Sequence, residues 1–140
     1  SDALCYRAGE PAELVALQDA VWQPVLREVE ALIGGRFVLS QGVVFAEQPV
    51  ETLAAFARKV DAIPAPLALA GAHNVMTLTG SAILTLALAH RLIGPDATWE
   101  AAHLDEDYQI SVWGQDEEAA ERRAIRRREF DAAVLLLEHG

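Results

Sequence analysis

From Leu67 to Ile93 the chain is apolar almost without interruption. A run of that kind has two outcomes, a membrane span or the middle of a packed domain, and its interruptions decide between them. His73 and Asn74 fall inside the run, and the uncharged remainder to Ala89 is shorter than the roughly 20 residues that a bilayer requires. Thr79-Gly80-Ser81 reads as a break followed by a new N-cap. The run therefore becomes two helices that are apolar nearly all round, as the hairpin at the centre of a core is. Ala70, Ala72, Gly80, Ala82, Ala87 and Ala89 are small enough to let neighbouring helices approach it closely.

The rest of the chain supplies helices to pack against that hairpin. Pro11 suits a first helical turn, and Leu14, Leu17, Val21, Val25, Val29 and Leu32 recur at three- and four-residue steps. This predicts a helix from about Glu10 to Ile33, kinked near Pro24 and ended by Gly34-Gly35. Arg36 to Phe45 is rich in Val and Phe around a Gln41-Gly42 turn signal, which predicts two short extended pieces. Pro49 opens a helix carrying Leu53, Phe56, Val60 and Ile63 on one face, and Pro64-Ala65-Pro66 ends it. After Gly94-Pro95-Asp96 a single helix is expected from about Ala97 to Trp113, closed by Gly114. Asp116 can cap the last helix, which runs to about Glu138 with Ala120, Ala124, Arg127, Phe130, Val134 and Leu137 along one face. The expected fold is mainly α: one domain over residues 1–140, a compact bundle of about six helices, with one or two short extended or β pieces near residues 36–45.

Charge narrows the function. Eleven basic against 21 acidic side chains leave a formal charge of −10, which repels phosphate backbones and anionic lipid surfaces; no nucleic acid and no membrane insertion are expected. The one cysteine, Cys5, excludes an internal disulfide and a thiolate-built zinc site and reads as a buried packing residue. No GxSxG, GxxxxGK[ST], GxGxxG, HExxH or CxxC motif is present, so no catalytic residue and no cofactor are assigned. Glu100-Ala-Ala-His103 has the Glu-x-x-His spacing of a carboxylate-bridged metal centre, but the chain holds no second copy. A metal-binding helical carboxylate protein built on Glu100, His103 and Glu106 is thus the weaker alternative, and a generic acidic interaction module is another.

Between Asp96 and Glu121 there are nine acids and no Lys or Arg, and the next seven residues hold Arg122, Arg123, Arg126, Arg127 and Arg128. For the arginines, pairing along their own helix suffices, Glu118 with Arg122 and Arg127 with Asp131. The acids are interleaved with Tyr108, Trp113 and Trp99, a combination that suits a protein-recognition surface. Asp105, Glu106, Asp107, Gln109, Asp116, Glu117 and Glu118 are the candidate partner-binding residues. Tyr108, Trp113 and Gly114 are read as a structural motif, with Trp113 packed at the junction of the last two helices.

The block Leu104-Asp-Glu-Asp-Tyr-Gln-Ile-Ser-Val-Trp-Gly114 and the Ala/Glu/Arg helix after it resemble the Atp-twelve family, the assembly chaperones that protect the alpha subunit of the ATP synthase catalytic head. Asp2-Ala-Leu-Cys-Tyr-Arg7, the Leu14–Leu26 stretch and Leu78-Thr-Gly-Ser-Ala82 agree with it, so the likeness covers essentially all of the chain. The resemblance implies a two-part protein, a β-rich N-terminal domain and a helical domain, of which this chain corresponds to the helical one. It further implies binding to the unassembled alpha subunit until the hexamer forms, with no catalysis, and it places the family's functional acid on Glu117. Gln115 and Ala120 depart from residues that family members often carry at those places. Ten arginines to one lysine suggest a GC-rich bacterial genome, hence the bacterial cytoplasm, or the mitochondrial matrix for a eukaryotic copy.

Overall fold

The computed structural model describes residues 2–42 and 45–139. Among these it holds a 3-10 turn, Ala3–Cys5, two short strands and seven α-helices. Strand β1 is Tyr6–Arg7 and β2 is Ser40–Gln41; the helices are α1 Ala12–Ile33, α2 Val50–Asp61, α3 Leu67–Thr79, α4 Ala82–Ala89, α5 Pro95–Ala102, α6 Leu104–Trp113 and α7 Glu117–His139. The expected mainly α bundle is the fold, with one helix more than expected.

The additional helix comes from a break at His103. Periodicity alone makes Ala97–Trp113 one helix, but His103 leaves the helical region at φ −105°, ψ 14° and both ends α5 and begins α6. Tertiary partners hold the break open. The Trp22 indole N–H donates to the Ala101 carbonyl at 2.8 Å, and Gln18 donates to the Asp105 carboxylate at 2.8 Å. Both come from α1, so the middle of that helix clamps the α5–α6 joint.

The extended segment also departs from the sequence reading. Ser40–Gln41 pairs in parallel with Tyr6–Arg7, a partner 34 residues away in register Tyr6 to Ser40, and Gly42 turns the chain at φ +74°. The second extended piece expected after that turn reaches residues 43 and 44, which lie outside the described residues.

The core has two parts. In the larger, Val25, Leu26 and Val29 of α1 meet Ile83, Leu84, Leu86 and Ala87 of α4, with Leu4, Cys5 and Trp22 closing one end. In the smaller, Val75, Leu88, Trp99, Phe130, Ala133 and Val134 join α3, α4, α5 and α7. Of the expected central hairpin only α4 is enclosed. Helix α3 turns one side to α7 and leaves Leu67, Leu69 and Met76 in solvent. The α3–α7 contact depends on Gly71, where a Cβ would stand 2.6 Å from the Leu137 nitrogen and 2.7 Å from the Ala133 carbonyl oxygen. On α7 the expected apolar face is used only in its C-terminal half, at Phe130, Val134 and the half-buried Leu137, while Ala124 is exposed. Pro24 lies within α1, and Gly34 ends that helix at φ +72°. Among the described residues no helix is long and apolar enough to cross a membrane.

Candidate functional site

The predicted partner-binding residues come together where α6 passes into α7. Helix α6 is anchored by Leu104, which is buried, and by Tyr108 one turn later, which packs against the larger core. That pair fixes which side of the helix faces inward. Trp113 stands nine residues beyond Leu104, half a turn around at about 100° per residue, and so points away from the domain. It is 81% exposed, with Val112 beside it 52% exposed. Trp113 as a packing residue at the junction is thus corrected, and the reason is helical phase. Gly114 contributes as well: at φ +94°, ψ 169° it adopts a backbone conformation that is essentially glycine-only, and it swings the chain out before α7 begins. Asp116 then caps α7, accepting from the Glu118 N–H at 3.0 Å, as the sequence indicates.

The acids are less free than their spacing implies. Arg123 of α7 reaches back to α6, donating through both terminal nitrogens to Asp107, and lies 3.6 Å from Glu106. Arg127 bridges Asp96 and Asp131. Asp105 holds Gln18, and Glu118 is 3.9 Å from Arg122. The two intrahelical pairs expected for the arginines are present, and the cross-helix bonds of Arg123 and Arg127 add counterions for Glu106, Asp107 and Asp96 that the spacing does not indicate. Among the described residues, Glu100, Glu117 and Glu121 remain in that stretch without an ion pair or hydrogen bond, and all three are exposed. Gln109 is also exposed and unengaged. Glu117 and Glu121 lie one turn apart on α7, so the surface near the junction offers an exposed indole, an exposed valine and two uncommitted carboxylates.

The metal alternative loses its ligand. His103 is buried, stacked on Trp99 with ring centroids 4.0 Å apart, and its Nδ1 lies 2.8 Å from the Trp99 carbonyl oxygen. Glu100 faces solvent, and among the described residues no three His, Cys, Asp or Glu side chains are placed to share a metal ion. Burial, followed by the Asp2 charge, pushes the Cys5 thiol up to about 12, which leaves the thiolate essentially unpopulated at neutral pH.

Two polar groups, Asp2 half-buried and Glu30 buried, escape a reading by spacing. The Asp2 carboxylate accepts from the Leu4 N–H, the Ser81 hydroxyl and the Ile83 N–H. The Glu30 carboxylate, buried at the end of α1, accepts from the Phe37 N–H at 2.8 Å and from Arg27 at 3.1 Å. An acid directly before a short helical turn, Ala3–Cys5, is a weak cap signal for Asp2; nothing local marks Glu30.

No family model matches the chain. Solved structures do. The Atu1473 protein of Agrobacterium tumefaciens, described as a candidate chaperone, superposes with a TM-score of 0.93 at 49% identity, over 98% of this chain and 51% of its own. Atp12 of Paracoccus denitrificans superposes with a TM-score of 0.91 at 28% identity, over 98% of this chain and 58% of its own. A single-substitution variant of that Atp12 gives a TM-score of 0.88. The architecture and these likenesses define a helical domain shared with this group of proteins. Within that group the chain is similar to Atp12 over 98% of its own length. It spans about half the length of these solved relatives.

Proposed function

We propose that this chain, as a single helical domain over residues 1–140, acts in assembly of the ATP synthase catalytic head by binding the unassembled alpha subunit and shielding its subunit interface until the hexamer forms. The observation that carries the reading is the fit to Atp12 over nearly the whole chain, together with an exposed junction where Trp113 stands beside acids that the fold leaves unused. Glu117 is the acid assigned to the alpha subunit. Its neighbours Asp105, Glu106, Asp107 and Asp116 divide their charge between the fold and the surface, and Gln109 and Glu118 extend the contact. An exposed aromatic ringed by carboxylates suits an apolar recess with a basic rim, and the acids contribute chiefly to encounter rate and choice of partner. Such a role needs no nucleophile, metal or cofactor. It belongs in the bacterial cytoplasm, or in the mitochondrial matrix for a eukaryotic copy. The test is co-purification of the chain with separately expressed alpha and beta subunits: capture of alpha alone is expected, and capture of beta, or of neither, contradicts the assignment.

A further inference from the structure

A second surface lies away from the acidic junction. Helix α2 has its packing partner in α1 and α3 has its own in α7, and between α2 and α3 the chain leaves an open groove of about 840 Å³ floored by α4. Phe56, Val60 and Ile63 form one wall, Leu69 and Met76 the other, and Ala82 and Leu86 lie in the floor. Leu69 and Met76 are each 39% exposed, Leu53 on α2 is 55% exposed, and a second depression of about 600 Å³ shares Phe56, Met76 and Ala82 with the first. The polar side chains along the main groove are few: His73 and Asn74 face solvent at its edge, and the Thr85 hydroxyl already donates to the Ser81 carbonyl. A small-molecule site needs several convergent polar groups to fix orientation. A long apolar trough between two helical ridges is instead the shape that receives an amphipathic helix.

Charge selects the occupant further. Although the chain carries −10 overall, residues 50–93, which supply the whole lining of the main groove, hold three bases and two acids, and the acids Asp2 and Glu47 line only the second depression. Two of the bases, Arg58 and Lys59, precede the wall residue Val60, and Arg91 follows the floor helix. Lys59 is close enough to His90, just past α4, to add to the effect of burial in lowering that imidazole's pKa. We propose that the α2–α3 groove seats an amphipathic helix of a partner protein, its apolar face on Phe56, Leu69 and Met76 and its acidic flank toward Lys59. This contact is distinct from the Glu117 junction and extends the binding role already proposed, without depending on which subunit is bound.

The probe is a fluorescein-labelled designed helix with leucines at i, i+3, i+4 and i+7 and glutamates flanking them, titrated by polarisation against the full chain. A twin with lysine flanks and a twin with the leucines scrambled serve as comparisons. Saturable binding of the glutamate peptide is expected, at least tenfold weaker for Leu69→Glu and Met76→Glu, unchanged for Leu135→Glu on α7, and weaker for the lysine twin. Thermal melts matching the parent show that the exposed substitutions leave the fold intact. Absence of saturable binding, equal binding of the scrambled twin, or full binding by both groove variants overturns the proposal. A concentration-dependent dimer in sedimentation that Met76→Glu abolishes also overturns it, by making a second copy the occupant. Because the titration contains no alpha subunit, failure of alpha capture leaves its result untouched.

Discussion

The Asp2 carboxylate accepts the Ser81 hydroxyl on both of its oxygens, at 2.8 and 3.0 Å, across 79 positions of sequence. It also accepts the Ile83 N–H at 2.8 Å, so one side chain caps the first turn of α4 and fastens the N-terminal segment to it. Two of the stretches through which the sequence resembles the Atp-twelve family, residues 2–7 and 78–82, are therefore one structural unit.

That bond gives a pH signature. Burial holds the Asp2 carboxyl above the ordinary aspartate value of 3.8, outweighing the donors that favour its charge. The folded state then binds this proton more tightly than the unfolded chain does. The stability contributed by the protonated form is complete below the unfolded value and is lost as pH rises through the folded one. Asp2→Asn should flatten this component of the pH dependence in urea unfolding on the acid side of neutrality. At neutral pH, Asp2→Ala should cost about 1 to 3 kcal/mol through donors left unsatisfied. A variant as stable as the parent would mean that the N-terminal segment is not docked.

His103 titrates in the opposite sense. Burial lowers its pKa below 6.5 despite the Trp99 carbonyl, so the unfolded chain takes up the proton first. The corresponding stability is lost as pH falls from about 6.5 through the lowered value. His103→Gln should therefore lose less stability than the parent between pH 7 and pH 5, as read from denaturant midpoints, while being less stable at pH 7 because the stacking on Trp99 is gone. An identical pH slope in the two proteins would place the imidazole in solvent.

Gly71→Ala tests the closest helix contact. The added methyl meets backbone atoms of Ala133 and Leu137, which cannot rotate away. Helix α7 must shift, and the expected cost is about 1 to 3 kcal/mol, seen as a lowered melting midpoint. An unchanged or raised midpoint, the usual outcome of Gly→Ala in a free helix, would show that α3 and α7 do not approach as described.

Cys5 should react with a thiol reagent only on unfolding, since it is 1% exposed and its thiolate is unpopulated. Rapid labelling of the native protein would contradict its place in the core.

What could be read from the sequence followed the local rules. Pro11, Gly34, Gly80, Asp116 and the apolar steps of α1 and α2 place helices to within a few residues, because caps and periodicity are local physics. What failed was tertiary. The break at His103 is held by Trp22 and Gln18 from about 80 residues away, and Ser40–Gln41 finds its strand partner near the N-terminus. The acids from Asp105 to Glu118 were legible as a surface, but not which of them the arginines of α7 would engage. Trp113 was misplaced because a tryptophan before a helix-ending glycine resembles a packing residue until the phase set by Leu104 and Tyr108 is known.

On the proposed function the α6–α7 junction is a docking surface and not a stability element. The most direct measurement pairs affinity for the isolated alpha subunit with the melting curve, for the parent, Trp113→Ala and Glu117→Gln. Both side chains are exposed, so both variants should keep their stability to within about 0.5 kcal/mol. Trp113→Ala should weaken alpha binding by about 2 kcal/mol or more, as loss of an aromatic anchor does. Glu117→Gln should weaken it by about 2 to 5 kcal/mol if its charge pair is buried in the complex, and by less at a rim. Parent affinity in both variants, beside unchanged melting, would contradict docking at this junction.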